Sequence, residues 1–144
     1  MKRIKFYKLH EEAILPKYAH DGDAGMDVYS TENVNLLPGE WKKVSCGIQV
    51  EIPVGFFGAL APRSGLALKK GLTLLNSWGV IDSGYRGEVC AIVINESKEE
   101  VNLPKQTRIA QLIILPFEKV IPTESNESLS NSDRGNGGFG STGI

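Results

Sequence analysis

The chain has 144 residues, 41% of them hydrophobic and 23% charged, with a formal net charge of −1. That length suits one domain with a real core, and that balance excludes a global field drawing the chain to nucleic acid or to an anionic membrane. Its apolar runs are far too short to span a bilayer and MKRIKFYKLHEE has no signal-peptide core, while Cys46 and Cys90 lack CxxC spacing, so the expectation is a cytoplasmic protein with free thiols, no disulfide framework and no structural zinc.

Short apolar runs then alternate with turn signals. IKFYKL, AGMDVYS, WKKVSCGIQVEIP, GFFGALAP, EVCAIVIN and RIAQLIILPFEKV read as strands, and LPGE, IPVG, NESKEE and LPKQ between them read as turns. Strands this short, without sustained helical periodicity, predict an antiparallel all-β sandwich or barrel. SGLALKK is the one segment with a helical turn's composition. From about Pro122 the composition shifts to Ser, Asn, Glu and Gly, which predicts a core over residues 1–121 and, over 122–144, a flexible linker followed by a glycine-rich terminal motif.

DGDAGMDVYSTE spaces its acids like a calcium loop. The position that must be Gly for the sharp turn is Met26, however, and no flanking helices are in view.

Polar residues embedded in apolar strands fall in five places: AGMDVYS, PRSGLA, NSWGVIDSGYRGE, RIAQL and RGNGGFGSTG. Each has an ordinary reading alone. Asp27 caps a turn, Arg63 is a solvated charge, Asp82 opens the DSG turn, Tyr85 packs between strands, and Gln111 is satisfied by backbone. Each also has a chemical one. Arg63 offers a planar donor fork, Ser64 a hydroxyl, and Gly65 a backbone N–H open to close approach, a set suited to a phosphate. Asp82 is a carboxylate able to take a proton from water. A Tyr85 ring beneath a sugar would leave an added 2′-hydroxyl without hydrogen bonds. The tail's Arg134 can pair with a terminal phosphate, Phe139 can stack on a base, and its glycines permit tight folding over phosphates.

Together, in this order from about Ala24 to Gly143, the five stretches resemble the motif set of the trimeric dUTPases. The resemblance implies a jelly-roll-like barrel with a flexible C-terminal arm, forming a homotrimer with shared active sites. It implies hydrolysis of dUTP to dUMP and pyrophosphate with Mg²⁺ on the triphosphate, which controls dUTP level and supplies dUMP for thymidylate synthesis. Asp82 would be the general base. Arg63, Ser64, Gly65 and Gln111 would contact phosphates. Asn76, Val80 and Ile81 would read uracil, with Cys90 at the base and Tyr85 selecting deoxyribose. Asp27 would hold metal-bound water or orient an arginine without ligating metal directly. Arg134, Phe139, Gly140, Ser141 and Thr142 would form a lid over a neighbouring subunit's site. Neither nucleic acid nor membrane is an expected partner. Gly84 departs from the family pattern IDxDYRGE, which has a second acid there. The dCTP deaminases share the serine-bearing phosphate motif but rely on a catalytic Glu and lack the Phe–Gly tail.

Overall fold

The computed structural model describes residues 3–139 and 141. Its elements are, in chain order, β1 (Lys5–Lys8), β2 (Gly25–Tyr29), β3 (Val34–Leu36), β4 (Trp41–Ser45), β5 (Ile48–Glu51), β6 (Phe56–Ala61), α1 (Ser64–Lys70), β7 (Leu72–Leu74), β8 (Gly79–Ile81), β9 (Cys90–Asn95), β10 (Val101–Leu103) and β11 (Arg108–Pro116). All strand pairings are antiparallel, in sheets ordered β1-β5, β10-β3, β2-β11-β6-β8 and β4-β9-β7. The architecture is the expected all-β, jelly-roll-like one with a single short helix.

Alternation explains the longer strands. In β9, Ala91, Val93 and Asn95 point to the core, while Cys90, Ile92 and Ile94 stand half-buried on the opposite face. β-Branched Val and Ile suit that pleated surface. Leu36, Ile48, Leu72 and Leu112 lie fully buried in the core, each stabilising the fold by about 2 kcal/mol relative to exposure.

Four strands lie outside the runs that read as strands. β3 and β10 are both VNL, each followed by Leu or Pro of a turn signal, and they pair with each other with Asn35 opposite Asn102. Three residues give a single alternation, too short a period to register. β7 and β8 are equally short. WKKVSCGIQVEIP divides into β4 and β5 because Gly47 takes a left-handed φ of 65°. A Cβ there would meet Thr31 Cγ2 at 2.6 Å and Ala13 Cβ at 2.9 Å, so the kink requires glycine. The acids of DGDAGMDVYSTE form no ion-binding loop: β2 runs through them, and Asp27 is buried within that strand.

Two devices tie the ends of the barrel. Asn95, fully buried, donates from Nδ2 to Leu36 O (3.0 Å) and Glu99 O (2.8 Å), while its Oδ1 accepts from Ser97 N (2.9 Å) and Ser97 Oγ (2.7 Å). At the other end Phe117 N donates to Gly55 O (3.1 Å), and the Phe117 ring meets Phe57 edge-on with centroids 6.3 Å apart. Beyond Phe117 every hydrogen bond made by the described residues stays within the tail.

Candidate active site

Two cavities collect the chemistry-bearing residues. The first, about 420 Å³, is built by one contiguous stretch: Asn76, Val80, Ile81, Asp82, Tyr85 and Cys90 line it, against Leu60 and Lys43. The hairpin after β8 turns through Asp82-Ser83-Gly84-Tyr85, closed by Tyr85 N donating to Asp82 O (3.0 Å). Arg86 latches that turn from outside, with Nη1 donating to Ser83 O (2.8 Å) and Tyr85 O (2.9 Å). The Asp82 carboxylate is exposed at the cavity, and among the described residues nothing hydrogen-bonds it. It is therefore open to a water or a ligand. Gly84 has open space where a Cβ would stand, so the turn itself does not demand glycine there. Burial, reinforced by the Glu88 carboxylate, pushes the Cys90 thiol up; deeper burial pushes Cys46 up to about 12. Both shifts favour the protonated thiol at neutral pH.

The second cavity, about 530 Å³, is assembled from distant segments: Asp27 on β2, Arg63, Ser64 and Gly65 entering α1, and Arg108 and Gln111 on β11. Its electrostatic centre is Asp27. Arg63 Nε lies 2.8 Å from Asp27 Oδ1 and Arg108 Nη1 lies 3.1 Å from Oδ2, while Arg63 Nη1 donates to Arg108 O (3.1 Å). One mostly buried carboxylate thus aims two guanidinium groups into one cavity. Arg108 was not singled out from the sequence. Its strand position was hidden by a bulge: the β11–β2 register shifts between Arg108 and Ala110, which turns Arg108 toward Asp27.

Gln111 lies opposite Asp27 on one neighbouring strand and Ala61 on the other, and donates from Nε2 to Pro62 O (2.9 Å). It pins the turn that carries Arg63. A Cβ on Gly25 would sit 2.6 Å from Gln111 Oε1, so glycine at that place lets the amide cross β2. Arg63 is the N-cap of α1, and its carbonyl accepts from Leu66 N (3.1 Å) and Ala67 N (3.0 Å). The N–H groups of Ser64 and Gly65 precede those bonds and, among the described residues, have no acceptor. Gly65 has nothing within 4 Å of a would-be Cβ and no left-handed φ. Neither the packing nor the backbone of this chain demands glycine there, which fits a position a ligand approaches closely.

The two cavities do not merge. Ile81, beside Asp82, pairs with Gly58 of β6, and Arg63 lies five residues further along the same chain segment. At about 3.3 Å per residue that is roughly 16 Å. Asp82 and Arg63 therefore stand near opposite ends of one strand.

The described residues of the tail line neither cavity. Phe139 is fully exposed with a φ of 50°, and Arg134 Nε donates to Gly137 O (2.8 Å) within a run of tight turns that includes Ser141 N to Gly138 O (3.0 Å). Gly140 and Thr142 lie outside the described residues. Among the described residues no group of three or more His, Cys, Asp or Glu is placed to hold a metal ion, and no helix is long and apolar enough to cross a membrane.

Known proteins resemble this chain in sequence and in fold. A family model described as dUTPase matches residues 11–143. A deoxyuridine 5′-triphosphate nucleotidohydrolase of Clostridioides difficile is 49% identical over 144 residues, covering 100% of both chains. The solved structure of a Staphylococcus bacteriophage 80alpha dUTPase mutant with dUpNHpp superposes with a TM-score of 0.92 at 29% identity, covering 100% of both chains. That of a dUTPase mutant from phage phi11 of S. aureus, described with a coordinated structural Mg(II) ion, gives a TM-score of 0.82 at 26% identity over 90% of this chain and 100% of that one. Matched over nearly its whole length by the family model and by a relative sharing half its residues, the chain belongs to the dUTPase family.

Proposed function

We propose that this enzyme hydrolyses dUTP to dUMP and pyrophosphate, with Asp82 as the general base. The observation that carries the reading is the Asp82 carboxylate, which has no hydrogen-bond partner among the described residues and faces a cavity in the same turn as Tyr85. Asp82 takes a proton from a water whose oxygen attacks the α-phosphorus. The bond from that phosphorus to the bridging oxygen breaks, and pyrophosphate leaves. Asn76 and the backbone of Val80 and Ile81 read the base, Cys90 borders it, and Tyr85 excludes ribose by placing carbon where a 2′-hydroxyl would stand. General-base help of this kind contributes about 10²–10⁴-fold.

Arg63, Ser64, Gly65 and Gln111 receive the phosphates. Arg63 lies roughly 16 Å from Asp82 along the segment that Ile81 pairs with, so the site is completed by another copy. A homotrimer with shared sites follows, in which the phosphate cavity of one chain faces the base cavity of the next. The outer face of the β4-β9-β7 sheet supports such a contact. Trp41, Ile94, Ile92 and Leu75 stand together there, with Trp41 58% and Leu75 45% exposed in the single chain. Residues 122–144 act as linker and lid. Arg134 pairs with phosphate, Phe139 stacks on the base, and Gly140, Ser141 and Thr142 close over the triphosphate. A segment whose described residues hydrogen-bond only within it is free to order when substrate binds.

The donor set suits a Mg²⁺ that arrives on phosphate oxygens. Each Asp27 oxygen already accepts from an arginine, leaving lone pairs for metal-bound water but little room for direct ligation. Bound there, Mg²⁺ would offset the charge of the departing pyrophosphate. The enzyme works in the cytoplasm on a free nucleotide, with no nucleic acid or membrane partner, and its product feeds thymidylate synthesis.

Pyrophosphate release measured with Mg²⁺ across dUTP, dTTP, dCTP and UTP tests the reading. Release from dUTP alone is expected. Ammonia release from dCTP would move the chain to the deaminase chemistry of the same fold, and dUTP binding without release would make it a regulatory scaffold.

A further inference from the structure

Glu88 lies on the wall of the base cavity, yet neither the base reading nor the phosphate chemistry uses it. A carboxylate on the wall of a cavity for an anionic nucleotide is repulsive unless it is engaged elsewhere, and here it is. Its Oε1 accepts from Gly47 N (2.9 Å) and from the Ser45 hydroxyl, which in turn accepts from Thr31 Oγ1 (2.8 Å). The Gly47 N–H is available because of the left-handed kink between β4 and β5. The backbone continues the tie, with Val89 N donating to Ile48 O (2.8 Å) and Cys46 N to Val89 O (3.1 Å).

The same residue anchors the ring proposed to filter the sugar. Tyr85 Oη donates to the Glu88 carbonyl oxygen (2.9 Å). The ring lies so close over Gly87 that a Cβ there would sit 2.5 Å from Tyr85 Cζ. Tyr85 is thus held at both ends: its amide by Asp82 O and its hydroxyl by Glu88 O. Position along the ring normal decides whether a 2′-hydroxyl fits, so the anchor sets the filter.

We infer that Glu88 is a positioning residue for sugar discrimination: its carboxylate, clamped by Gly47 and Ser45, fixes the carbonyl that holds the Tyr85 hydroxyl. The inference rests on the dUTPase reading and on Tyr85 as the deoxyribose filter.

The test compares kcat/KM for dUTP and for UTP in the full-length enzyme. Glu88→Ala should lower the dUTP/UTP ratio by about five- to tenfold, the size of a lost hydrogen bond. Glu88→Gln, which still offers an oxygen to Gly47 N–H, should restore most of it. Combining Tyr85→Phe with Glu88→Ala should cost little more selectivity than either alone, because both release one anchor. A Glu88→Ala enzyme whose two kcat/KM values fall together with the ratio intact would overturn the inference and leave Glu88 a strut. Tyr85 ring motion by side-chain NMR reads the anchor without turnover. An anchored ring gives separate signals for its two edges, which should collapse to averaged ones in Glu88→Ala, and identical ring signals in the two proteins would also overturn it. If the wild-type enzyme shows no preference for dUTP, the functional reading fails, while the NMR comparison still decides the clamp.

Discussion

The base cavity and the phosphate cavity are built in opposite ways. The first comes from one hairpin, residues 76–90, whose turn holds Asp82 and Tyr85 at fixed spacing. The second brings together β2, the α1 entrance and β11, with partners such as Arg108 and Asp27 separated by 81 residues. A hairpin is a local object, so its chemistry is written in one motif. A cavity made by strand register exists only after the barrel closes. The difference teaches that a substitution in the first should act on chemistry, and one in the second on both geometry and fold.

Asp82→Asn sharpens this most. It should cut kcat by about 10²–10⁴-fold while leaving dUTP affinity near that of the wild type; steady-state turnover beside equilibrium nucleotide binding checks it. Asp27→Ala should break the other side. It frees two arginines held at 2.8 and 3.1 Å, so kcat/KM should fall about ten- to a hundredfold as they lose their aim, and the melting temperature should drop as well. Kinetics with a thermal melt distinguishes it from Asp82→Asn, whose melt should be unchanged.

Smaller effects lie outside both cavities. Phe139→Ala should raise KM for dUTP by at least about fivefold, the low end of a lost base stack, without moving the melting temperature, since the ring is fully exposed. Asn95→Ala is the converse. Losing four hydrogen bonds at a fully buried side chain should cost about 2–4 kcal/mol by urea unfolding, with kcat/KM per folded enzyme unaltered. Smallest of all, Cys46, pushed up from 9.0 to about 12, should resist maleimide in the native enzyme at neutral pH and react fully once unfolded.

The same contrast separates what the sequence disclosed from what it hid. CAIVIN is readable because its alternation repeats, RIAQLIILP because its apolar run is long, and the short helix at SGLALKK because of its composition. β3 and β10 were not, because VNL repeats nothing and its meaning is its partner 67 residues away. The residues of the hairpin site were legible as a motif. Arg108 was not, because a bulge decides where it points, and neither was Gln111's bond to Pro62, because the register of β11 on β6 places it there. Glu88 takes its role from the Gly47 kink, which supplies it with an N–H from 41 residues away, and no local pattern signals that.

The central claim is that Asp82 of one chain works on a triphosphate held by Arg63 of another. Two inactive variants test it directly. Asp82→Asn and Arg63→Ala chains, unfolded together in equal amounts and refolded, should recover about a quarter of wild-type dUTP turnover, since random assembly of a symmetric oligomer pairs two intact halves at that share of sites. A refolded mixture as inactive as either variant alone, with mixed oligomers confirmed by mass, would place both residues in one chain's site and contradict the account.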